Sequence, residues 1–343
     1  MMNDRYLITG GAGFIGTNYT RRLINNGASV TIFDNLSRGG AESNLKWLEK
    51  EVGNKSLKFI KGDVRNFDEI KSAAADKEII VHLAAQVAVT TSVENPRHDF
   101  EVNAGGTFNV LEAARLNSKQ PIVIYASTNK VYGELEDLEI IEEPTRYQFK
   151  HLKDGIDESR SLDFHSPYGC SKGAGDQYVR DYARIYGIPT IVFRQSCIYG
   201  TRQFGIEDQG WVAWFVIAVL KKHPLKIYGN GKQIRDLLFV DDLLDAYDLA
   251  IKKKGISKGQ VYNVGGGPKN SISIWMEFSK ILEEISGHEI PVEYHDWRPG
   301  DQKVYVSNIE KCRNELGWTP KIDVREGLAR LYKWASENQG LFA

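Results

Sequence analysis

Short apolar runs alternate with longer amphipathic stretches through the first half of the chain, a pattern that builds a parallel sheet covered by helices on both faces. The runs predict strands over Tyr6–Thr9, Ser29–Phe33, Leu57–Lys61, Ile79–Leu83, Ile122–Ala126 and Thr190–Arg194. Helical spacing lies between them, over Phe14–Asn26, Phe67–Ala75, Asp99–Leu116 and Pro167–Tyr186. Polar or glycine residues follow each strand, at the sheet edge where open α/β folds bind ligands. The expected class is therefore α/β, with a doubly wound parallel sheet.

Beyond this region the alternation degrades. The segment from Glu134 to Asp163 is charged and interrupted by Pro144 and Gly155, and it reads as a long loop or small excursion beside a site. After Gly200 come a buried helix near Trp211–Lys221, a glycine turn at Gly229-Asn230-Gly231, a strand near Val261–Val264 and a helix near Ile274–Ser286. Trp211 and Trp214 read as core. No repeat or low-complexity tract appears. The expected division is a ligand-binding α/β part over residues 1–195, with a later return near 232–262, and a smaller C-terminal lobe over 196–343.

Charge narrows the function. The 343 residues hold 44 basic and 45 acidic side chains, a net charge of −1, and no basic tract, so a nucleic-acid partner is not expected. An anionic ligand must be gripped locally. The first residues run straight into Tyr6–Ile8 without a signal-peptide pattern, and the longest apolar run, Trp211–Leu220, is too short to span a bilayer. Cys170, Cys197 and Cys312 show neither paired nor metal-like spacing. The expectation is a cytoplasmic protein with no membrane partner and no metal.

The chemistry begins at Thr9-Gly10-Gly11-Ala12-Gly13-Phe14-Ile15-Gly16, which follows the first strand and opens the first helix. In that context Gly10, Gly13 and Gly16 let backbone approach a pyrophosphate, and the helix start at Phe14 and Ile15 supplies unpaired N–H groups. A tight turn with a small-residue contact is the plain alternative. Asp34 closes the second strand about twenty residues on, where a carboxylate accepts hydrogen bonds from an adenosine ribose and repels a 2′-phosphate, which favours NAD over NADP. Asn35 and Ser37 follow it. Arg38 either stacks on the adenine or is a solvated loop charge. Asp63, in Gly62-Asp63-Val64, either bonds the adenine amino group or caps the helix near Phe67.

Tyr168 and Lys172 stand four residues apart just after Ser166-Pro167, a helix start with Ser as N-cap, so both share one helical face. A free phenol has a pKa near 10, and lowering it by about three units takes about 4 kcal/mol. A neighbouring ammonium, a positive nicotinamide ring and the helix amino terminus are expected to act that way. Thr128 lies just past the fifth strand, at the same sheet edge, where its hydroxyl would orient a reacting alcohol. Singly these residues read as a turn cap, packing and a surface charge. Together, behind a dinucleotide fingerprint, they read as a catalytic set.

Those residues, with His82-Leu83-Ala84-Ala85, Asn103-Ala104-Gly105-Gly106-Thr107 and Val131-Tyr132-Gly133, resemble the extended short-chain dehydrogenase/reductase family over nearly the whole chain. The resemblance implies a Rossmann-type fold with a smaller substrate lobe, NAD as cofactor, Tyr168 as base, Lys172 as its partner and Thr128 in the usual Ser/Thr place. It also implies that Val64, Leu83, Ala84, Ala85, Gln86 and Gln195 line the cofactor, and that Arg235 and Arg298 clamp a substrate diphosphate. An arginine fork fits phosphate oxygens bidentately. Thr128, Asn129, Arg202, Gln203 and Gln209 are further substrate candidates.

The residues after Thr128 divide the family. Its dehydratases carry an Asp-Glu pair there, whereas this chain has Asn129-Lys130. What remains is epimerisation through a transient ketone or simple reduction, and the further resemblance of Ser127–Gly133, Leu162–Gly173 and Arg202–Trp211 to the nucleotide-sugar 2-epimerases of the family implies inversion at C2 of a CDP-hexose. A UDP-sugar 4-epimerase is the alternative, and a non-catalytic dinucleotide sensor a more distant one. By analogy, a homo-oligomer, dimer or tetramer, is expected.

Overall fold

A computed structural model describes residues 4–53, 56–298 and 301–342. Strands and helices alternate from the start, as β1 (Arg5–Thr9), α1 (Phe14–Asn25), β2 (Ser29–Asp34), α2 (Ala41–Val52), β3 (Leu57–Lys61), α3 (Phe67–Ala74) and β4 (Ile79–His82). Two short helices, α4 (Val89–Glu94) and α5 (Pro96–Phe100), lead through a π-helical turn at Glu101–Gly105 into α6 (Gly106–Arg115) and β5 (Ile122–Thr128). A hairpin, β6 (Ile140–Glu142) with β7 (Tyr147–Phe149), precedes the long α7 (Ser166–Tyr186), then β8 (Thr190–Gln195) and β9 (Cys197–Tyr199). The remainder comprises α8 (Trp211–Leu220), β10 (Leu225–Tyr228), β11 (Ile234–Phe239), α9 (Val240–Lys252), α10 (Lys254–Ser257), β12 (Val261–Val264), β13 (Ser271–Ser273), α11 (Phe278–Ser286), β14 (Val292–His295), β15 (Val304–Tyr305), α12 (Glu310–Leu316) and α13 (Val324–Glu337).

Seven parallel strands form the main sheet in the order β12-β8-β5-β4-β1-β2-β3. Side chains alternate between two apolar layers, because the strand period is two. Tyr6, Ile8, Ile79, Val81, Ile124 and Phe193 enter one layer, while Leu7, Ile80, Val123, Tyr125 and Val192 enter the other. Each buried side chain of this size stabilises the fold by roughly 1.5–3 kcal/mol, which is why both faces are covered by helices. The order reverses between β1 and β4, and a crevice opens there at the strands' carboxyl ends.

The last main-sheet strand, β12, arrives late and pairs with β8 at the sheet edge, Val264 opposite Gln195. Before it, α9 packs on the first helix, with Tyr19 donating to Asp248 at 2.9 Å and Arg22 to Asp245 at 2.7 Å. A single residue, Ser196, separates β8 from β9, which pairs with β11 of a second sheet that also holds β13 and β15. Buried Asp236 locks this joint by accepting from Ser196 Oγ at 2.5 Å and from the N–H groups of Gly267 and Ser307 at 3.1 Å each. Burial pushes its carboxyl up to about 6.

Three readings of the sequence change. An unforeseen helix, α2, lays Ala41, Leu45 and Leu48 on the sheet. The stretch from Glu134 to Asp163 holds a hairpin whose Tyr147 and Phe149 join Ile234, Val304 and Tyr305 in an apolar cluster of their own. The helix expected from Ile274 begins only at Phe278, because Ser273 and Glu277 hold each other's backbone N–H groups at 2.8 and 3.0 Å in the preceding turn. Among the described residues no helix is long and apolar enough to cross a membrane, no group of His, Cys, Asp and Glu is arranged to hold a metal ion, and the three cysteines are unpaired.

Candidate active site

The glycine loop sits between β1 and α1, over the crevice. Gly10 has φ +68°, and a Cβ there would lie 2.7 Å from the Ala84 nitrogen. Only glycine fits that backbone and that approach. Gly16 packs the helix onto the loop, since a Cβ on it would meet the Gly10 carbonyl at 2.6 Å. Gly13 is the N-cap of α1 with no side-chain cap, so the first N–H groups, from Phe14 and Ile15 onward, are left for a ligand. These features fit a dinucleotide pyrophosphate.

Asp34 does more than face a ribose. One carboxylate oxygen takes the Ala12 N–H at 3.0 Å and the other the Leu36 N–H at 2.8 Å, so it braces the loop. Burial raises its pKa against those two bonds. Asp63 is held by Arg65 at 2.8 Å and Asn35 at 3.1 Å, and the Arg65 hydrogen bonds lower its pKa. It does not cap α3, because Asn66 does so by accepting the Glu69 N–H. Asn35 also accepts the Ser37 N–H at 3.0 Å, and Val64 is buried beside Gly106. Arg38 is crowded by protein atoms yet open to water, and desolvation lowers its pKa. Its charge reaches Tyr168, a placement the sequence did not suggest.

The turn after β4 is built from hydrogen bonds that were not legible in advance. His82 links Thr9 at 2.7 Å to Thr107 at 3.0 Å, and burial pushes its imidazole down to about 3, so it is neutral. Thr9 also accepts the Ala84 N–H at 3.3 Å, fixing Leu83 and Ala84 against the glycine loop. Past Ala85, Gln86 exchanges backbone bonds with the Asn103 amide at 2.9 and 3.0 Å. Asn103 rides on the π-helical turn, a feature frequent at functional sites. With Asp99 it reaches Ser171 of α7, at 3.1 and 2.5 Å.

Thr128, Tyr168 and Lys172 meet at the carboxyl end of β5. Thr128 caps the 3₁₀ turn Asn129–Tyr132, accepting the Lys130 N–H at 3.2 Å and donating to the Asn129 side chain at 3.3 Å. The dull reading of Thr128 as a cap is therefore true as well, and its hydroxyl is near enough to the phenol of Tyr168 to lower the phenol's pKa. On α7 the cap shifts by one residue, to His165, but Ser166 Oγ still accepts the Gly169 N–H at 3.2 Å. Lys172 donates to the Ala126 carbonyl at 2.6 Å, with its ammonium 4.3 Å from the centre of the Tyr125 ring.

The electrostatics correct one expectation. The phenol of Tyr168 is not lowered by the chain's own charges: burial pushes it up to about 12, helped by the Asp99 carboxylate, while the Thr128 hydrogen bond and Arg38 pull the other way. Burial brings the Lys172 ammonium down to about 7, against the attraction of Asp176 and Asp99. Desolvation of the whole helix face outweighs the pairwise terms.

Beside this group lies a cavity of about 480 Å³, lined by Thr128, Lys130, Tyr168, Gln203, Gln209, Arg235 and Arg298. Arg235 pairs with Asp301 at 2.6 Å, and Arg298 pairs with Asp208 at 3.1 Å and stacks 3.8 Å over the Tyr228 ring. Two residues of the Arg298 turn, Pro299 and Gly300, lie outside the described residues. Trp211 and Trp214, expected in the core, line this cavity too. Two substrate candidates, Arg202 and Asn129, lie outside this lining, and the cofactor candidate Gln195 is engaged by another side chain. Arg202 is sandwiched 3.8 Å from the Trp47 ring and 5.7 Å from Trp334, and Gln195 donates its amide to Tyr247 at 2.5 Å. Asn129 is buried behind Thr128, outside the lining.

Comparison with known proteins agrees with this geometry. The sequence profile of the GDP-mannose 4,6 dehydratase family matches residues 7–331. The chain is 44% identical to the CDP-paratose 2-epimerase of Salmonella typhi, over 97% of this chain and 99% of that protein. Its fold matches the UDP-glucose 4-epimerase of Thermotoga maritima, solved with UDP-glucose, at a TM-score of 0.83 and 30% identity, covering 98% and 99% of the two chains. It also matches a dTDP-glucose 4,6-dehydratase of Streptomyces venezuelae with NAD bound, at a TM-score of 0.83 and 28% identity, covering 98% of each. With a glycine loop over the sheet crevice, an acidic residue closing β2 and a Thr, Tyr, Lys group beside a cavity, the chain belongs to the extended short-chain dehydrogenase/reductase family and is an NAD-dependent epimerase of nucleotide sugars.

Proposed function

We propose that the chain inverts C2 of a CDP-linked hexose, converting CDP-paratose to CDP-tyvelose or acting on CDP-glucose. The observation that carries the epimerase part of this reading is the turn after Thr128, which offers Asn129 and Lys130 and no carboxylic acid. A 4,6-dehydratase needs an acid there to release the sugar's 6-hydroxyl, whereas epimerisation by oxidation and re-reduction needs none. The similarity to a CDP-paratose 2-epimerase supports the choice of sugar and base.

In this reading Tyr168 takes the proton of the sugar's 2-hydroxyl, Thr128 hydrogen-bonds the same oxygen, and Lys172 holds positive charge beside them. Bound NAD supplies the hydride acceptor and donor. Gly10, Gly13 and Gly16 with the α1 amino terminus hold its pyrophosphate, and Asp34 its adenosine ribose. The sugar passes through a planar 2-ketone, and re-reduction from the other face inverts C2. Residues 1–195, with the return through α9 and β12, form the cofactor side, and residues 196–343 otherwise form the substrate side.

Substrate deuterated at C2 tests the reading, because the label stays on the sugar when hydride shuttles within one site. Loss of the label to water indicates enolisation and overturns the mechanism. The fold's likeness to a UDP-glucose 4-epimerase favours a second reading, C4 chemistry on a UDP-sugar. Turnover of UDP-galactose with no turnover of the CDP-sugars would establish it.

We also propose that the chain forms a homo-oligomer, dimer or tetramer. Phe100, Phe108, Tyr178 and Ile185 expose apolar surface along α5, α6 and α7, with the Phe108 and Tyr178 rings in edge contact. A second copy is the occupant that suits such a helical face. Light scattering on wild type and Ile185→Lys checks it: the variant is expected to fall to a smaller species, and an unchanged mass rejects the interface.

A further inference from the structure

Lys130 is a charged group that the mechanism above does not use. It follows Thr128 by two residues, and its backbone N–H bonds the Thr128 hydroxyl oxygen at 3.2 Å. The turn that holds the threonine near the phenol therefore also fixes the root of this lysine. The side chain is half-buried and contributes to the cavity wall. Its ammonium has one near partner, the neutral Gln302 side-chain oxygen at 3.3 Å. Among the described residues no carboxylate pairs with it within 4.0 Å, because the nearby Asp301 is engaged by Arg235 at 2.6 Å.

A desolvated ammonium without a counter-charge is costly, and a second cation beside it makes it more so. Arg235, on β11, is that second cation and opposes the charge on Lys130. Asp301 already compensates Arg235, so the Lys130 ammonium is the excess positive charge of this group and suits an anion that arrives with the substrate; a nucleotide sugar brings a diphosphate. The position of the anchor then has a chemical consequence. In a nucleotide sugar the terminal phosphate is joined to C1, so C2 is the neighbouring ring carbon, while C4 lies across the ring.

We propose that Lys130 binds the sugar-linked phosphate of the substrate beside the reacting phenol and thereby selects C2, not C4, for oxidation. A phosphate held two residues from Thr128 brings C2 to Tyr168 and leaves C4 pointing away. A site built for C4 needs its phosphate anchor a ring's width further off. The C2 part of this assignment rests on the 2-epimerase reading, and the phosphate part does not. The environment of Lys130 agrees with an anion-dependent role. Burial, with Arg235 second, brings its ammonium down to about 8, against the opposing pull of Asp301 on the loop before β15, Cys197 on β9 and Glu134 after its own turn, with Gln302 as neutral partner.

Calorimetry on the NAD-loaded enzyme with CDP and with CMP tests the anchor, because only CDP carries the terminal phosphate. Lys130→Met is expected to weaken CDP at least tenfold and to change CMP less than twofold, with CMP binding also reporting that the variant is folded. Lys130→Arg is expected to recover most of the CDP affinity. Between pH 7.5 and 9.5 the wild type is expected to lose CDP affinity while Lys130→Arg stays level. Equal losses for CDP and CMP, no loss for CDP, or the same pH slope in both proteins overturns the assignment. Hydride removal from C4 by a wild type that passes the CDP and CMP test keeps the anchor and overturns the selection of C2.

Discussion

The Lys172 ammonium lies 2.6 Å from the Ala126 carbonyl, so α7 is fastened by this lysine to the strand that ends in Thr128. The cost is desolvation, which brings that ammonium down to about 7 from the 10.5 of a free lysine. Between those two values the unfolded chain binds more protons than the folded one, so this group makes stability rise with pH. We expect wild type to gain on Lys172→Met as pH is raised from 7 to 10, at up to about 1.4 kcal/mol per pH unit, and turnover of the variant to fall about a hundredfold or more. Urea unfolding at several pH values checks the sign, and a gap that is flat or widens the other way contradicts it.

Asp34 couples cofactor choice to loop integrity, since the carboxylate expected to meet the ribose also holds the Ala12 and Leu36 N–H groups. Asp34→Ser removes a negative charge from the place where a 2′-phosphate would sit. The ratio of kcat/KM with NADP to that with NAD is expected to rise by about tenfold or more, while absolute activity falls as the loop loosens. Steady-state kinetics with both cofactors measures it. An unchanged ratio would remove Asp34 from cofactor selection.

Gly10 combines a left-handed backbone with backbone contact to Ala84. Gly10→Ala is expected to cost about 2 kcal/mol or more, from strain and from displacement of the turn after β4. The thermal stabilisation given by added NAD should shrink with it, as a melting series in rising NAD would record. Full retention of that stabilisation would mean the loop is not the pyrophosphate site.

Arg194 and Asp176 form a buried pair under β5 and β8, with 2.9 Å between Arg194 Nε and Asp176 Oδ2. Ser127 donates to the same carboxylate at 2.8 Å, and Arg194 reaches the Tyr132 hydroxyl at 2.9 Å. Asp176→Ala strands the guanidinium and is expected to destabilise by about 3–5 kcal/mol, lowering Tm by roughly 2–4 °C for each kcal/mol. The double variant Asp176→Leu with Arg194→Met should recover much of that loss. Circular dichroism melts of the three proteins decide the matter, and an unaltered Tm in Asp176→Ala would show the pair to be idle.

Much of the site was readable because its parts are local. The glycine loop lies within one strand–turn–helix, Tyr168 and Lys172 within one helical turn, and Asp34 at the end of a strand. Other parts depend on distant partners. Arg202 and Gln195, expected as ligand contacts, also meet Trp47, Trp334 and Tyr247, residues that no spacing rule connects to them. Lys130 and Trp214 gave no local signal of their own, and they matter only because β9, α8 and β11 bring a cavity to the end of β5.

By itself the amino-acid order determined the parallel sheet, the glycine loop and the shared helical face of Tyr168 and Lys172, because strand alternation, helix periodicity and glycine backbone are properties of neighbouring residues. The tertiary structure alone decided the charge states and the far wall of the site. Desolvation at Tyr168, Lys172 and Lys130 comes from every element packed around them, and the cavity is closed by segments more than a hundred residues downstream of Thr128, such as β11 and Arg298. Burial is a sum over the whole fold, so no stretch of sequence carries it.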